Sequence, residues 1–260
     1  MTVMDITNLD DVRRVLRQIN PSHIIHTAAL SQTGECETNP DKADLVNARG
    51  VRNLVEAAST LDQPLPYFLQ ISTDLVFDGT QGNYREHDPP KPLQEYGRSK
   101  YAGECEATKY AGPWAIVRSA LIYGMRTPEK GSFLQWMLRD IEAGTATLFT
   151  DEFRNPIWVE DLGRVLGSLA ARSLEGFYHC AGGETLSRFG FGKRAAEVYG
   201  FSVTPGMGKT RVEAGLAQMR PADVSLDSSK LTSILGYQPT PLTAAIQSIK
   251  SQESRWTELW

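Results

Sequence analysis

The sequence predicts an α/β fold in which a parallel sheet of short strands, covered on both faces by helices, is joined to a smaller and less regular α/β part. Three observations carry this reading. Short apolar runs alternate with helix-period segments through the first half of the chain, as a parallel sheet requires, because its strands are buried on both faces and its crossovers need helices. A hydrophobic share of 41% and a charged share of 22% are ordinary for a globular chain, and 260 residues suffice for one large or two interleaved domains. The second half loses the alternation and gains Gly- and Pro-rich connections, without repeats or low-complexity tracts.

Asp10 to Gln18 reads as the first helix, because Val12, Val15, Leu16 and Ile19 share one face and Pro21 stops the chain from continuing it. His23-Ile24-Ile25-His26 is a short strand opening into Thr27, Ala28 and Ala29. A long helix is expected over Asp41 to Leu61, with Ala43, Val46, Val51, Leu54, Val55 and Ala58 spaced for burial. Tyr67 to Ser72 is the next strand, Tyr96 to Tyr110 a helix and Trp114 to Arg118 another strand. The loop from Asp78 to Glu95 holds Pro89, Pro90 and Pro92, and connections of that length usually carry function. Farther on, Phe133 to Ala143 and Trp158 to Ala171 read as helices, Gly176 to Cys180 as a strand and Arg188 to Tyr199 as a helix, with a last helix after Pro241.

Composition removes several function classes. A net charge of -4 with no run of Lys and Arg gives no footprint for nucleic acid or an anionic membrane. No apolar stretch reaches the ~18 residues of a membrane span, and Met1 to Asp5 has neither the basic leader nor the apolar run of a secretion signal. Cys36, Cys105 and Cys180 are far apart and odd in number, so neither a metal site nor a disulfide framework is expected. A cytoplasmic location fits these features.

The sharpest chemical signal is Tyr96-Gly97-Arg98-Ser99-Lys100. Residues four apart on a helix share a face one turn from each other. A phenol of pKa near ~10 is a weak acid catalyst at neutral pH, and a nearby ammonium lowers that pKa by favouring the phenolate. Alone, the spacing is common by chance and describes many solvated helix faces. Its context adds weight: Ser72-Thr73-Asp74 directly follows a buried strand, and ligands of open parallel sheets bind beyond the carboxyl ends of strands. Thr73 then offers a hydroxyl beside Tyr96, although Ser and Thr at such positions also simply cap turns.

These residues, Ile71 to Gly79 with Tyr84-Arg85-Glu86, Pro92, Tyr96 to Lys100 and Gly103-Glu104, resemble the dTDP-4-dehydrorhamnose reductase group of the extended short-chain dehydrogenases/reductases. The likeness extends upstream through Asp5 to Asn8, Pro21, His26 to Ala29, Cys36-Glu37 and Val46-Asn47. Downstream it takes in Arg118, Tyr123-Gly124, Arg154-Asn155-Pro156, Asp161-Leu162, Arg220-Pro221 and Leu226-Asp227. The resemblance implies a reductase that moves hydride from NADPH or NADH to a keto group of a nucleotide-linked sugar, in dTDP-rhamnose biosynthesis or a related route. It implies Thr73, Tyr96, Lys100 and Asn47 as the catalytic set, with Tyr96 as proton donor. Asp5, Ile6, Thr27, Ala28, Ala29, Tyr96 and Lys100 would bind the cofactor, and Thr73, Asp74, Leu75, Val76, Leu121 and Tyr123 the substrate. It also implies a Rossmann-like cofactor domain of residues 1–125 with 154–182 and a substrate-binding domain of residues 126–153 with 183–260. The implied partner is the nucleotide-sugar substrate, and a homodimer is admitted.

Three features set the chain apart from that group. Its members open with a strand, a Gly-x-x-Gly-x-x-Gly turn and a helix that hold the cofactor pyrophosphate, whereas four residues precede Asp5 here. The expectation is therefore an N-terminally truncated sheet with an unpaired strand edge and little turnover by this chain alone. Leu75 stands where the group usually has Tyr, and Leu121 where rhamnose reductases carry Trp. Two alternatives stay open. One is a non-catalytic regulatory subunit like the β subunit of methionine adenosyltransferase, and the other a nucleotide-sugar epimerase.

Overall fold

The first helix, α1 (Leu9–Ile19), starts where the Asn8 carboxamide accepts from the backbone N–H groups of Asp10 and Asp11, satisfying donors that a helix cannot pair internally. It belongs to a computed structural model of the chain that describes residues 2–125 and 131–258. Two units divide the chain: Met1–Asp78, Glu86–Arg118 and Leu166–His179 make the first, and Gly79–Arg85, Ser119–Val165 and Cys180–Trp260 the second.

In the first unit α1 is followed by β1 (His23–His26), α2 (Thr33–Thr38) and α3 (Pro40–Asp44). A π turn over Leu45–Arg49 leads into α4 (Gly50–Ala58). The helix expected over Asp41 to Leu61 is thus one rod interrupted by a wider turn. Then come β2 (Tyr67–Thr73), a 3-10 turn (Asp74–Val76), α5 (Glu95–Ala107), β3 (Trp114–Ser119) and, much later in the chain, β8 (Gly176–Cys180). The four strands form one sheet in the order β1-β2-β3-β8. β1 and β2 run parallel, with His23 opposite Tyr67 and His26 opposite Gln70. Every residue of β2 except Ile71 is buried, so the strand is sealed on both faces, as its apolar run predicts. Val12 and Leu16 of α1 meet Val51, Leu54 and Val55 of α4 in the core beneath. Ile19, expected on that buried face, is 55% exposed, because the helix ends at left-handed Asn20 before the stripe completes another turn. β1 is the sheet edge among the described residues, with Ile25 exposed.

The second unit is built from short pieces. β4 (Ile122–Tyr123) pairs in parallel with β7 (Ile157–Trp158), β5 (Leu148–Phe149) in parallel with β10 (Gly208–Lys209), and β6 (Phe153–Arg154) antiparallel with β9 (Leu186–Ser187). Helices α6 (Phe133–Glu142), α8 (Arg188–Tyr199) and α10 (Leu242–Glu258) enclose a core of Tyr123, Leu134, Phe191 and Ile246. Helix α7 (Val159–Ala171) follows β7, and α9 (Ser229–Leu235) precedes α10. No described helix is long and apolar enough to cross a membrane.

Candidate active site

Helix α5 lies hard against the end of β2, and its glycines explain how. A Cβ on Gly97 would come within 2.2 Å of the Leu75 carbonyl oxygen, and one on Gly103 within 2.2 Å of the Asn47 carbonyl oxygen. Close backbone approach is a use of glycine that outweighs its helix penalty. The helix start is capped from a distance: a Glu37 carboxylate oxygen accepts from the Glu95 N–H at 2.8 Å.

On this helix Tyr96 is half-buried, with the Thr73 side chain beside its phenol favouring the phenolate. Thr73 is buried at the last position of β2. Its hydroxyl donates to an Asp74 carboxylate oxygen at 3.0 Å and accepts from the Leu75 N–H at 3.2 Å. The capping role and the role beside Tyr96 therefore coexist in one side chain. One turn along α5, Lys100 is 3% exposed and its Nζ donates to the Ile71 carbonyl at 2.7 Å. Burial pushes its ammonium down to about 8, against an upward pull from Glu104. The Tyr96 phenol is pushed up by burial and by the Asp74 carboxylate, with the Thr73 side chain acting the other way. That direction is opposite to the one expected from pairing with Lys100 alone, because dehydration and a neighbouring anion both oppose the phenolate.

Asn47 sits in the π turn, buried. Its Oδ1 accepts from the Leu30 N–H at 2.8 Å, while Nδ2 donates to the Leu30 carbonyl and the Ser99 hydroxyl, both at 3.0 Å. Ser99 donates in turn to the Tyr96 carbonyl at 2.9 Å. Asn47 thereby ties the loop after β1 to the first turn of α5. Thr27 and Ala28 are exposed and Ala29 half-buried where the chain leaves β1. Asp5 is exposed and accepts from Thr7, and the Ile6 carbonyl accepts from Asn53 Nδ2 at 2.9 Å while its side chain covers Gly50. Asp74 is buried, Leu75 half-buried and Val76 wholly buried in the 3-10 turn. Leu121 and Tyr123 belong to the second unit. There the Leu121 carbonyl accepts from the Ile157 N–H, and Tyr123 is 2% exposed in the core.

Two groups were given no role by the sequence reading, although His26, Arg154 and Arg220 lie in stretches that carry the resemblance. His26 is buried at the end of β1, its pKa held near 3 by burial and by the Lys100 charge, and its Nε2 meets no protein partner. Opposite it, neither amide atom of Gln70 has one. The second group lies in the second unit, where wholly buried Glu152 is shared by three guanidinium groups. Arg188 donates to it through Nε at 2.8 Å, Arg220 through Nε at 2.6 Å and a terminal nitrogen at 3.0 Å, and Arg154 at 3.5 Å. Arg188 and Arg220 also stack on Phe133 and Phe149. Burial pushes the carboxyl up, but Arg188, Arg154 and Arg220 together overcome that and hold it at about 2. Nothing in the spacing of residues 152, 154, 188 and 220 announces the cluster. Among the described residues no group of three or more His, Cys, Asp or Glu stands ready to hold a metal ion.

A family profile described as "RmlD substrate binding domain" matches residues 1–254. The "Probable low-salt glycan biosynthesis reductase Agl14" of Haloferax volcanii is 34% identical over 243 residues, covering 91% of this chain and 80% of that protein. "Methionine adenosyltransferase 2 subunit beta" of Danio rerio is 26% identical, covering 96% of this chain and 79% of its own. Among solved structures, a dTDP-4-dehydrorhamnose reductase from Bacillus anthracis in complex with NADP superposes with a TM-score of 0.87 at 28% identity, covering 96% of this chain and 87% of that one.

Proposed function

Because the chain belongs to the RmlD substrate binding domain family, we propose that it reduces a keto group on a nucleotide-linked sugar with hydride from NADPH or NADH. The observation that carries this reading is the Tyr96 phenol beside the Thr73 side chain at the carboxyl end of β2, with Lys100 one helical turn away. A substrate carbonyl oxygen would take its proton from the Tyr96 phenol at this strand end, where ligands of open parallel sheets bind. Burial keeps the phenol protonated at neutral pH, as a proton donor requires. With a pKa of about 8, Lys100 is about nine-tenths ammonium at pH 7 and stabilises the phenolate that proton donation leaves. Asn47 holds the first turn of α5, and so Tyr96, in place.

The residues present fit the nicotinamide half of the cofactor. Exposed Thr27 and Ala28 and small Ala29 leave β1 where His26 pairs with Gln70, one residue before the Ile71 carbonyl that binds Lys100. Thr27 to Ala29 and Lys100 would hold it, and when bound it supplies the hydride that reduces the carbonyl carbon while Tyr96 protonates the oxygen.

The test is oxidation of NADPH or NADH in the presence of dTDP-linked and other nucleotide-linked 4-keto sugars. Tyr96→Phe keeps the ring and removes the donor, so turnover should fall by about 10²–10⁴-fold with folding unchanged. The reading fails if no keto sugar drives cofactor oxidation, or if Tyr96→Phe turns over as the parent does. The first result would favour the regulatory-subunit alternative.

A further inference from the structure

Three residues on one face of α5, each a turn from the next, bind three consecutive residues at the end of β2. Tyr96 meets the Thr73 side chain, Lys100 donates to the Ile71 carbonyl, and Glu104 accepts from the Ser72 hydroxyl. The first two contacts belong to the reducing site. The third takes no part in its chemistry, yet it is the most heavily anchored. Glu104 is 1% exposed and receives the Arg118 fork through Nε at 3.1 Å and a terminal nitrogen at 2.8 Å. Arg118 is itself 3% exposed, with its guanidinium carbon 5.1 and 4.8 Å from the ring centres of Phe77 and Phe177.

Taking two charges out of water is costly, and a buried ion pair is seldom a better stabiliser than packed apolar groups of the same size. What a planar fork on a carboxylate does well is fix direction. Here the direction it fixes is that of a carboxylate gripping the residue next to Thr73. We infer that Glu104 and Arg118 are positioning residues for the reducing site, locking α5 through Ser72 onto the end of β2 in the register that holds Tyr96 at Thr73 and Lys100 at Ile71. The inference rests on the reductase reading for its kinetic consequence, though not for its structural one. Glu104 also follows Lys100 by one turn and favours its charged form. Of the other titratable and charged groups, His26 on β1 feels that ammonium, Arg118 on β3 stands behind Glu104, and Asp74 beyond β2 faces the Tyr96 phenol on α5.

Three variants separate positioning from mere packing. Glu104→Gln combined with Arg118→Met removes both charges without stranding either. Ser72→Ala cuts only the link to β2, and Arg118→Lys keeps the charge but loses the fork. The first readout is the titration of the Lys100 side chain by NMR in 13C-lysine-labelled protein, assigned through Lys100→Met, which needs neither substrate nor activity. The wild-type midpoint near 8 should fall by about half a pH unit or more in the charge-free pair, and should stay in place in Ser72→Ala. The second readout is keto-sugar reduction: kcat should fall about tenfold or more in the charge-free pair and several-fold in Ser72→Ala and Arg118→Lys, with KM within about twofold. A charge-free pair that folds with an unmoved Lys100 midpoint overturns the inference, whether or not the wild type turns over. If that pair does not fold, a Ser72→Ala protein with wild-type kcat overturns it. A wild type without turnover sinks the reductase reading instead, and the clamp is then upheld if the Tyr96 ring resonances shift in Ser72→Ala while those of distant Tyr199 stay in place, and overturned if the Tyr96 resonances do not move.

Discussion

Glu152→Gln keeps the shape of a wholly buried side chain and removes the one negative charge shared by Arg154, Arg188 and Arg220. The size of the effect follows from the carboxyl itself, whose value in the fold is about 2 against an ordinary 4.5. At about 1.4 kcal/mol per tenfold change in proton affinity, that difference is worth about 3 kcal/mol. Because the folded value is depressed, this stability is fully present above about pH 4.5 and drains away as pH falls towards about 2. Urea unfolding of parent and variant should therefore differ by about 3 kcal/mol at pH 7 and by about 2 kcal/mol at pH 3.5. The variant should also recover more stability than the parent when pyrophosphate is added, since its guanidinium groups have lost their internal anion. A stability difference that is the same at both pH values, or near zero at pH 7, would refute the reasoning that charge holds this cluster together.

Two further substitutions probe the first unit. Gly103→Ala would ordinarily help a helix by up to about 1 kcal/mol, but here the methyl meets the Asn47 carbonyl oxygen at 2.2 Å. A net loss of about 1–3 kcal/mol is expected in urea, and a variant as stable as the parent would mean that α5 does not sit as closely as described. Gln70→Met keeps the length of a side chain that is 0% exposed and without protein partners. Removing that buried amide should raise stability by about 1–3 kcal/mol, so a lowered Tm would show that the amide is satisfied after all.

What the sequence displayed well is what depends on near neighbours. The strand from Tyr67, the Tyr96–Lys100 spacing and the hydroxyl of Thr73 at a strand end are all local patterns, and the fold sets them together as expected. The contacts that orient them are not local. Glu37 caps α5 from 58 residues away, and Ser72 reaches Glu104 across 32. The Glu152 cluster gathers side chains from three separate stretches of the chain. Pairing Tyr96 with a lysine also suggested the wrong direction for its phenol, because burial and the Asp74 carboxylate could be weighed only in three dimensions.

The π turn at Leu45–Arg49 has a consequence for chain length. Ala43, Asn47, Val51 and Val55 are all buried at intervals of four residues. At about 100° per residue, each step of four overshoots a full circle by about 40°, so an unbroken α-helix would swing the last of them about 120° from the first. The wider turn takes up part of that drift. It also explains why Val46, expected inside, is half-buried while the polar Asn47 beside it is fully enclosed. Deleting one residue between 45 and 49 would restore regular winding and leave α3 and α4 with nearly the same faces inward, because the wider turn is what absorbs the extra residue. The loss would fall on Asn47, whose place in the wider turn gives it Leu30 and Ser99 together. Natural variation in this stretch should accordingly exchange the exposed Leu45 and Arg49 freely while keeping Asn47 and the wider turn that encloses it.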